Sequence, residues 1–427
     1  MKIHIRNGRL IDPKNKIDAQ CDVYIAAGKI VGIQHAPKDF VANQTIDASG
    51  LIVSPGFVDL SARLREPGSE YSATLVSELN AAAAGGVTSL ACTPDTQPVL
   101  DEPGLVEMLK YRAKQLNLAH VYPLGALTRQ LEGKLLTEMC KLTEAGCVGF
   151  SQADHAIIDT QVLWRACEYA STFGFTLFLR AEDDYLAKNG VAHDGEIASR
   201  LGLKGIPSAA EGLAIASILR IAHETNTKIH LCRLSTAEGV NLVREAKKQG
   251  VQVTADVSAQ HLHLTDLDIG YFNAHAHLKP PLRSIRDKDA LCQGLKDGTI
   301  DAICSDHTPV NDDAKLLPFA ESEAGATGLE LLLPLALKWA NNQKLDIAEA
   351  IAKITDQSAQ ILGINSGHLS IGSDADITIF NPDQTWKVMP DQLKSQGKNT
   401  PFLGLEMTGK VQYTLLHGQI TYQDESN

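Results

Sequence analysis

No run of apolar residues in this 427-residue chain reaches the about twenty needed to cross a bilayer. The opening Met1-Lys-Ile-His-Ile-Arg-Asn-Gly8 lacks the apolar core of a secretory leader, so the expected compartment is the cytoplasm. No CxxC pair occurs among the eight cysteines, Cys21, Cys92, Cys140, Cys147, Cys167, Cys232, Cys292 and Cys304. Most fall inside apolar segments, where a thiol behaves as a small buried hydrophobe, and no disulfides are expected. A basic excess is missing too: 51 acidic against 39 basic residues leave a net charge of −12. That argues against nucleic acid or an anionic membrane as the main partner. Low-complexity tracts, charge blocks and short internal repeats are also absent.

What remains is ordinary globular composition, 44% hydrophobic and 21% charged, in a chain long enough for a barrel with an appendage. The first 53 residues read as short strands joined by turns: 2–5, Asn7-Gly8, 21–25, Ala27-Gly28, 29–33 and 44–46. The far end repeats the pattern at 376–380, 411–416, His417-Gly418 and 419–422. Residues 1–53 and 365–427 are therefore expected to assemble one composite β domain. Between them, 54–364 alternates apolar runs with helical patterns. Residues 74–84 form a helix stopped by Gly85-Gly86. Further helices are expected at 104–116, 134–145, 159–172, 209–226, 236–249 and 287–297. Strands are expected at 88–93, 120–124, 148–151, 176–181, 228–232, 252–257 and 300–305. About eight β-then-α units predict a parallel α/β barrel, whose active site would lie at the C-terminal ends of its strands.

Those strand ends carry Pro55-Gly-Phe-Val-Asp-Leu-Ser-Ala-Arg-Leu-Arg-Glu-Pro-Gly68, Cys92-Thr-Pro-Asp-Thr-Gln-Pro98 and Phe150-Ser-Gln-Ala-Asp154. They also carry Phe178-Leu-Arg-Ala-Glu-Asp183, His230-Leu-Cys-Arg-Leu-Ser-Thr236, His277-Leu-Lys-Pro-Pro-Leu-Arg283 and Ser305-Asp-His-Thr-Pro-Val310. With Gly372-Ser-Asp-Ala-Asp-Ile-Thr-Ile-Phe380, this series resembles the dihydroorotases and other cyclic amidohydrolases over nearly the whole chain. The resemblance implies a (β/α)8 TIM barrel of amidohydrolase type, with a small β-sandwich domain formed by both termini. It also implies where catalytic metal would sit, and the match fails there. Ser61 and Arg63 stand on the first two ligand histidines, Ala153 on the bridging carboxylate, and Arg180 and Arg233 on two further histidines. Asp154 is one place late. Of six expected ligands only Asp306 survives. Arg65, a substrate-carboxylate contact in the family, is kept, Asp95 replaces a substrate-binding amide, and Lys279 replaces a substrate-contacting asparagine.

Zinc requires donors with an available lone pair, and arginine has none to give. No metal and no other cofactor is therefore expected, and no catalytic residue is assigned. The arginines are expected to replace the metal's charge, bridging Asp306 and Glu182 or Asp154. A sharper reading makes Arg63, Arg65, Arg180, Arg233 and Lys279 an anion pocket for a dicarboxylate. The i, i+2 pairs His261/His263 and His275/His277 lack a third ligand. His230 reads as a packed strand residue, His307 as locally hydrogen-bonded, His155 as surface loop, and 314–327 as an ordinary solvated loop.

The resemblance reaches further, to inactive dihydroorotase-like chains that assemble with aspartate carbamoyltransferase, the preceding enzyme of pyrimidine synthesis. It implies a pseudoenzyme serving as structural subunit for that catalytic chain, with self-association. Two other classes stay open: an atypical active dihydroorotase or related cyclic amidohydrolase, and a regulator that binds a pyrimidine precursor.

Overall fold

The computed structural model describes residues 1–425. Eight parallel strands pair in chain order: Phe57–Ala62, Val87–Cys92, His120–Ala126, Gly149–Ser151, Thr176–Leu179, Lys228–Leu231, Val253–Ser258 and Ala302–Cys304. The sheet rolls until its edges meet. Arg63 N–H donates to the His307 carbonyl at 2.8 Å, and His307 N–H donates to the Ser61 carbonyl at 3.0 Å. Phe57–Ala62 and Val87–Cys92 are buried at every position, as strands between a packed lumen and outer helices must be.

The helices follow local chemistry. Leu75–Ala84 starts at Thr74, whose side chain accepts the Ser77 N–H in a capping box, and stops at Gly85. At Gly86 the backbone has φ +80, and a Cβ would strike the Phe57 ring at 2.7 Å, so glycine ends this helix for two reasons. Thr160–Phe173 is capped by Asp159 and closed by the left-handed Gly174. The helix expected at 134–145 is shorter, Met139–Ala145. Ahead of it, Thr128 bridges Leu136 and the Thr137 hydroxyl donates to the Ala126 carbonyl at 2.6 Å, which holds the chain extended. Three helices that the patterning did not delimit, Leu332–Asn342, Ile347–Lys353 and Asp356–Leu362, complete the outer ring.

Both termini build two further sheets. One has four strands in the order Lys29–Ile33, Val23–Ala26, Lys2–Arg6, Gln44–Asp47. The other has six: Gln419–Gln423, Glu406–Leu416, Ile377–Lys387, Ile52–Pro55, Arg9–Asp12 and Ile17–Gln20. Ile3, Ile5, Val23 and Val53 from one end share a core with Ile377, Ile379 and Leu415 from the other. The strands expected at 376–380 and 411–416 are parts of two eleven-residue strands that pair with each other through register shifts. Thr378 and Thr414 hydroxyls donate to the Gly86 and Ala83 carbonyls, fixing this sheet against the barrel.

Candidate functional site at the barrel mouth

The strand ends deliver the expected residues to one place. Arg63 follows the first strand, Asp95 the second, Ala153 and Asp154 the fourth, and Arg180 and Glu182 the fifth. Arg233 follows Lys228–Leu231, and Asp306 follows Ala302–Cys304. Buried carboxylates hold these ends in position. Asp59 accepts the Ser305 N–H at 2.7 Å and its hydroxyl at 2.6 Å. Asp256 accepts the Arg233 N–H at 2.6 Å, and Glu211 accepts the N–H groups of Ser235 and Thr236. Arg65, Ala153, Arg233 and Asp306 all have left-handed backbones, with φ of 58, 49, 56 and 46. Strained φ values on non-glycine residues gather at sites that the surrounding structure over-determines.

Asp154 is the hub. Its Oδ1 lies 2.5 Å from Arg233 Nη2 and 2.9 Å from Arg180 Nε, and its Oδ2 lies 2.8 Å from Arg63 Nη2. Each guanidinium then reaches a second carboxylate. Arg63 Nε donates to Asp95 at 2.7 Å, Arg180 Nη2 to Glu182 at 2.6 Å, and Arg233 Nη1 to Asp306 at 2.8 Å. The Lys279 ammonium stands 4.0 Å from Glu182. Four carboxylates thus face three guanidiniums and one ammonium, and the cluster closes to neutrality. The arginine side chains are only 3–6% exposed. Beside them, Arg65 pairs with Glu323 at 3.0 Å and donates to the Pro309 carbonyl.

Burial would raise the Asp154 carboxyl, but Arg233, Arg63, Arg180 and Lys279 hold it well below the usual carboxylate range. Asp95 and Glu182 behave alike, with Arg63 and Arg180 overcoming burial. Asp306 differs: burial outweighs Arg233 and Arg63, and its carboxyl sits above its ordinary value. Burial and the neighbouring arginines lower Lys279 and Arg65.

Such a site does not suit the divalent metal that the barrel family implies. The side chains at the five degenerate positions offer one serine hydroxyl, one methyl and three guanidiniums. The two central carboxylates, Asp154 and Asp306, already carry arginine contacts. A dication here would meet three fixed positive charges with few donors to hold it. An anion pocket made of Arg63, Arg65, Arg180, Arg233 and Lys279 needs unmatched positive charge, and here every arginine already faces a carboxylate.

Other expectations change. His307 bonds locally only through its backbone N–H, to the Ser305 hydroxyl; its ring Nε2 meets Glu78 Oε2 at 2.5 Å, 229 residues away in sequence, and its Nδ1 accepts the Gly328 N–H. Residues 314–327 are only in part a solvated loop. Phe319, Ser322, Ala326 and Thr327 are buried, and Glu323 reaches into the mouth to Arg65. Phe319 stacks on His277 and the Ala326 carbonyl accepts the Thr308 N–H, a role that counting two glutamates cannot reveal. His230 is buried between Asp256 and Thr254, so both ring nitrogens are spoken for. His261 bonds to Ser258 and the Pro281 carbonyl, His263 to the Leu335 carbonyl, His277 to Ser322, and His155 is exposed. Sequence reasoning missed Asp95 as a member of the network. Its signal was a paired change, a new carboxylate appearing beside a new arginine.

A profile of the Dihydro-orotase-like family matches residues 50–239. A Pseudomonas aeruginosa protein named "Dihydroorotase-like protein" is 43% identical over 99% of this chain and 100% of its own length. A Syntrophus aciditrophicus protein named "Dihydroorotase" is 41% identical, with full coverage of both chains. Among solved structures, the L-hydantoinase (dihydropyrimidinase) from Arthrobacter aurescens superposes with a TM-score of 0.86 at 26% identity, over 98% of this chain and 95% of that one. The dihydropyrimidinase from Brevibacillus agri shares the fold, with a TM-score of 0.85 at 22% identity over 100% and 96% of the two chains.

Proposed function

This chain belongs to the dihydroorotase-like family, and from that premise we propose that it is a non-catalytic member, a pseudoenzyme that serves as a structural subunit. One observation carries the reading: Asp154 is gripped by Arg63, Arg180 and Arg233 where the family's metal chemistry would need lone pairs. Activating water for ring hydrolysis at neutral pH calls for a bound metal or a free base. The mouth offers neither, because its ionised carboxylates are committed to guanidiniums.

The partner that the family resemblance suggests is the aspartate carbamoyltransferase catalytic chain, with self-association of this chain in the same assembly. Exposed apolar side chains on the mouth side support a docking role. Leu267, Tyr271, Phe272 and Leu316 protrude, with Tyr271 fully exposed. The Lys315 Nζ bond to the Ala274 carbonyl ties their two segments together. Apolar groups gathered this way favour a covering partner. The test is co-purification with the carbamoyltransferase from the same cell. Joint elution at a fixed ratio is expected, and separate elution of both proteins refutes the subunit role. A working dihydroorotase is the second reading, favoured by the name "Dihydroorotase" on a relative 41% identical over its full length.

A further inference from the structure

A second group of metal-type donors lies at the opposite end of the barrel. His120 opens the strand His120–Ala126, at the N-terminal face. Asp376 precedes the strand Ile377–Lys387, and His417 sits in the turn between Glu406–Leu416 and Gln419–Gln423. One donor atom from each lies within 4.8 Å of the other two. We propose that His120, Asp376 and His417 form a binding site for a divalent transition ion of the zinc class, clamping the barrel to the terminal β-sheet.

The donor set suits that ion. Two imidazoles and a carboxylate leave a position open for water, and His417 is exposed, so the ion can enter from solvent. The supporting contacts match what metal-bound histidines use. His417 Nδ1 lies 3.1 Å from Asp374 Oδ1, which can orient the ring and leave Nε2 facing inward. Asp376 Oδ1 accepts the His417 N–H at 2.8 Å, so Oδ2 remains for the ion. Lys29 also pairs with Asp374 Oδ1 at 2.7 Å, anchoring the same carboxylate oxygen that meets His417.

At present Asp376 Oδ2 lies 2.9 Å from His120 Nε2. An ion would take the place of the proton shared between them, which moves to His120 Nδ1 or to solvent. The two rings already face each other edge-on, with centroids 4.8 Å apart and planes at 80°. Tetrahedral bonds of about 2.0–2.2 Å set donors about 3.3–3.6 Å apart, so Asp376 and His120 would spread by about 0.5 Å while His417 closes in by up to roughly 1 Å. The exposed turn at His417 has room for that movement. By contrast, the trio of buried His230, half-buried Cys232 and buried Asp256 has its ring nitrogens and carboxylate already engaged within the barrel.

The site is tested on the full, tag-free chain after stripping with chelator. Zn(II) is titrated by calorimetry, and Co(II) by its visible absorption. One equivalent is expected to bind, with affinity at least tenfold weaker in His417→Asn and in His120→Gln. Asparagine is chosen because it tolerates the φ of 48 at His417. Far-ultraviolet circular dichroism and metal-free melting of both variants should match the parent, which separates lost donors from lost folding. His155→Ala, an exposed histidine elsewhere, should bind as the parent does. No saturable uptake by the parent, or uptake unchanged in His417→Asn, overturns the proposal. Neither result bears on the barrel mouth, where the readout is hydrolysis.

Discussion

Replacing Asp154 by asparagine keeps the side-chain shape and removes the charge on which three guanidiniums converge. Deleting one partner of a buried ion cluster costs about 3–5 kcal/mol, because the charges left behind stay desolvated. Asp154 keeps 24% side-chain exposure, so the lower end, about 3 kcal/mol, applies. With an unfolding entropy of about 2.1 cal/mol/K per residue, a 427-residue unit loses roughly 3 °C in melting temperature. Asp306→Asn is the contrast. Burial already disfavours the Asp306 charge, and an amide oxygen can still accept from Arg233, so its loss should stay near about 1 kcal/mol. Scanning calorimetry of both variants at neutral pH makes the comparison. Equal shifts, or no shift for Asp154→Asn, would mean that Asp154 is not the centre of the network.

Three further outcomes are expected. The double variant Ser61→His/Arg63→His should remain without dihydroorotate hydrolysis, because Ala153, Arg180 and Arg233 are still unsuited to metal and Asp95 loses its partner; measurable turnover would show that the wrong ligand positions were assigned. Calorimetry with dihydroorotate and with carbamoyl aspartate should give no heat, since each arginine at the mouth already faces a carboxylate; saturable heat with either would revive the anion pocket. Burial pushes His261, His263 and His277 down to about 4, against about 6.5 when unfolded. Their contribution to stability is complete above about pH 6.5 and drains away as the pH falls toward about 4. Buried Asp59, raised to about 6, opposes this by taking up its proton first in the folded state. Urea unfolding at pH 6.5 and 4.5 should differ by at least about 2 kcal/mol in favour of the higher pH, and His261→Gln should narrow the gap; a flat profile contradicts the burial argument.

The barrel was legible because strand-then-helix alternation and glycine stops such as Gly85-Gly86 are local signals. The C-terminal sheet was legible only in part. The extension of Ile377–Lys387 past Phe380 depends on pairing with Glu406–Leu416 across a long connection, which periodicity in one segment does not encode. At the mouth, the motifs placed Arg63, Arg180, Arg233 and Asp306 together, but not the role of Asp154 as hub. Its one-residue offset reads as a defect in sequence. In space, the left-handed Ala153 turns the chain so that the next carboxylate meets all three arginines. Glu78 with His307, and Glu323 with Arg65, were illegible because each pair joins segments more than two hundred residues apart.

The guanidinium-filled mouth is tested most directly by the rate at which the purified chain interconverts dihydroorotate and carbamoyl aspartate, measured with and without added Zn(II). The His417→Asn background removes the ion site proposed at the far end of the barrel. The rate expected is that of buffer alone in both conditions. Turnover that chelator abolishes and Zn(II) restores would contradict the account, because a metal would then be working among three guanidiniums that have no lone pair to give and carboxylates already engaged by them.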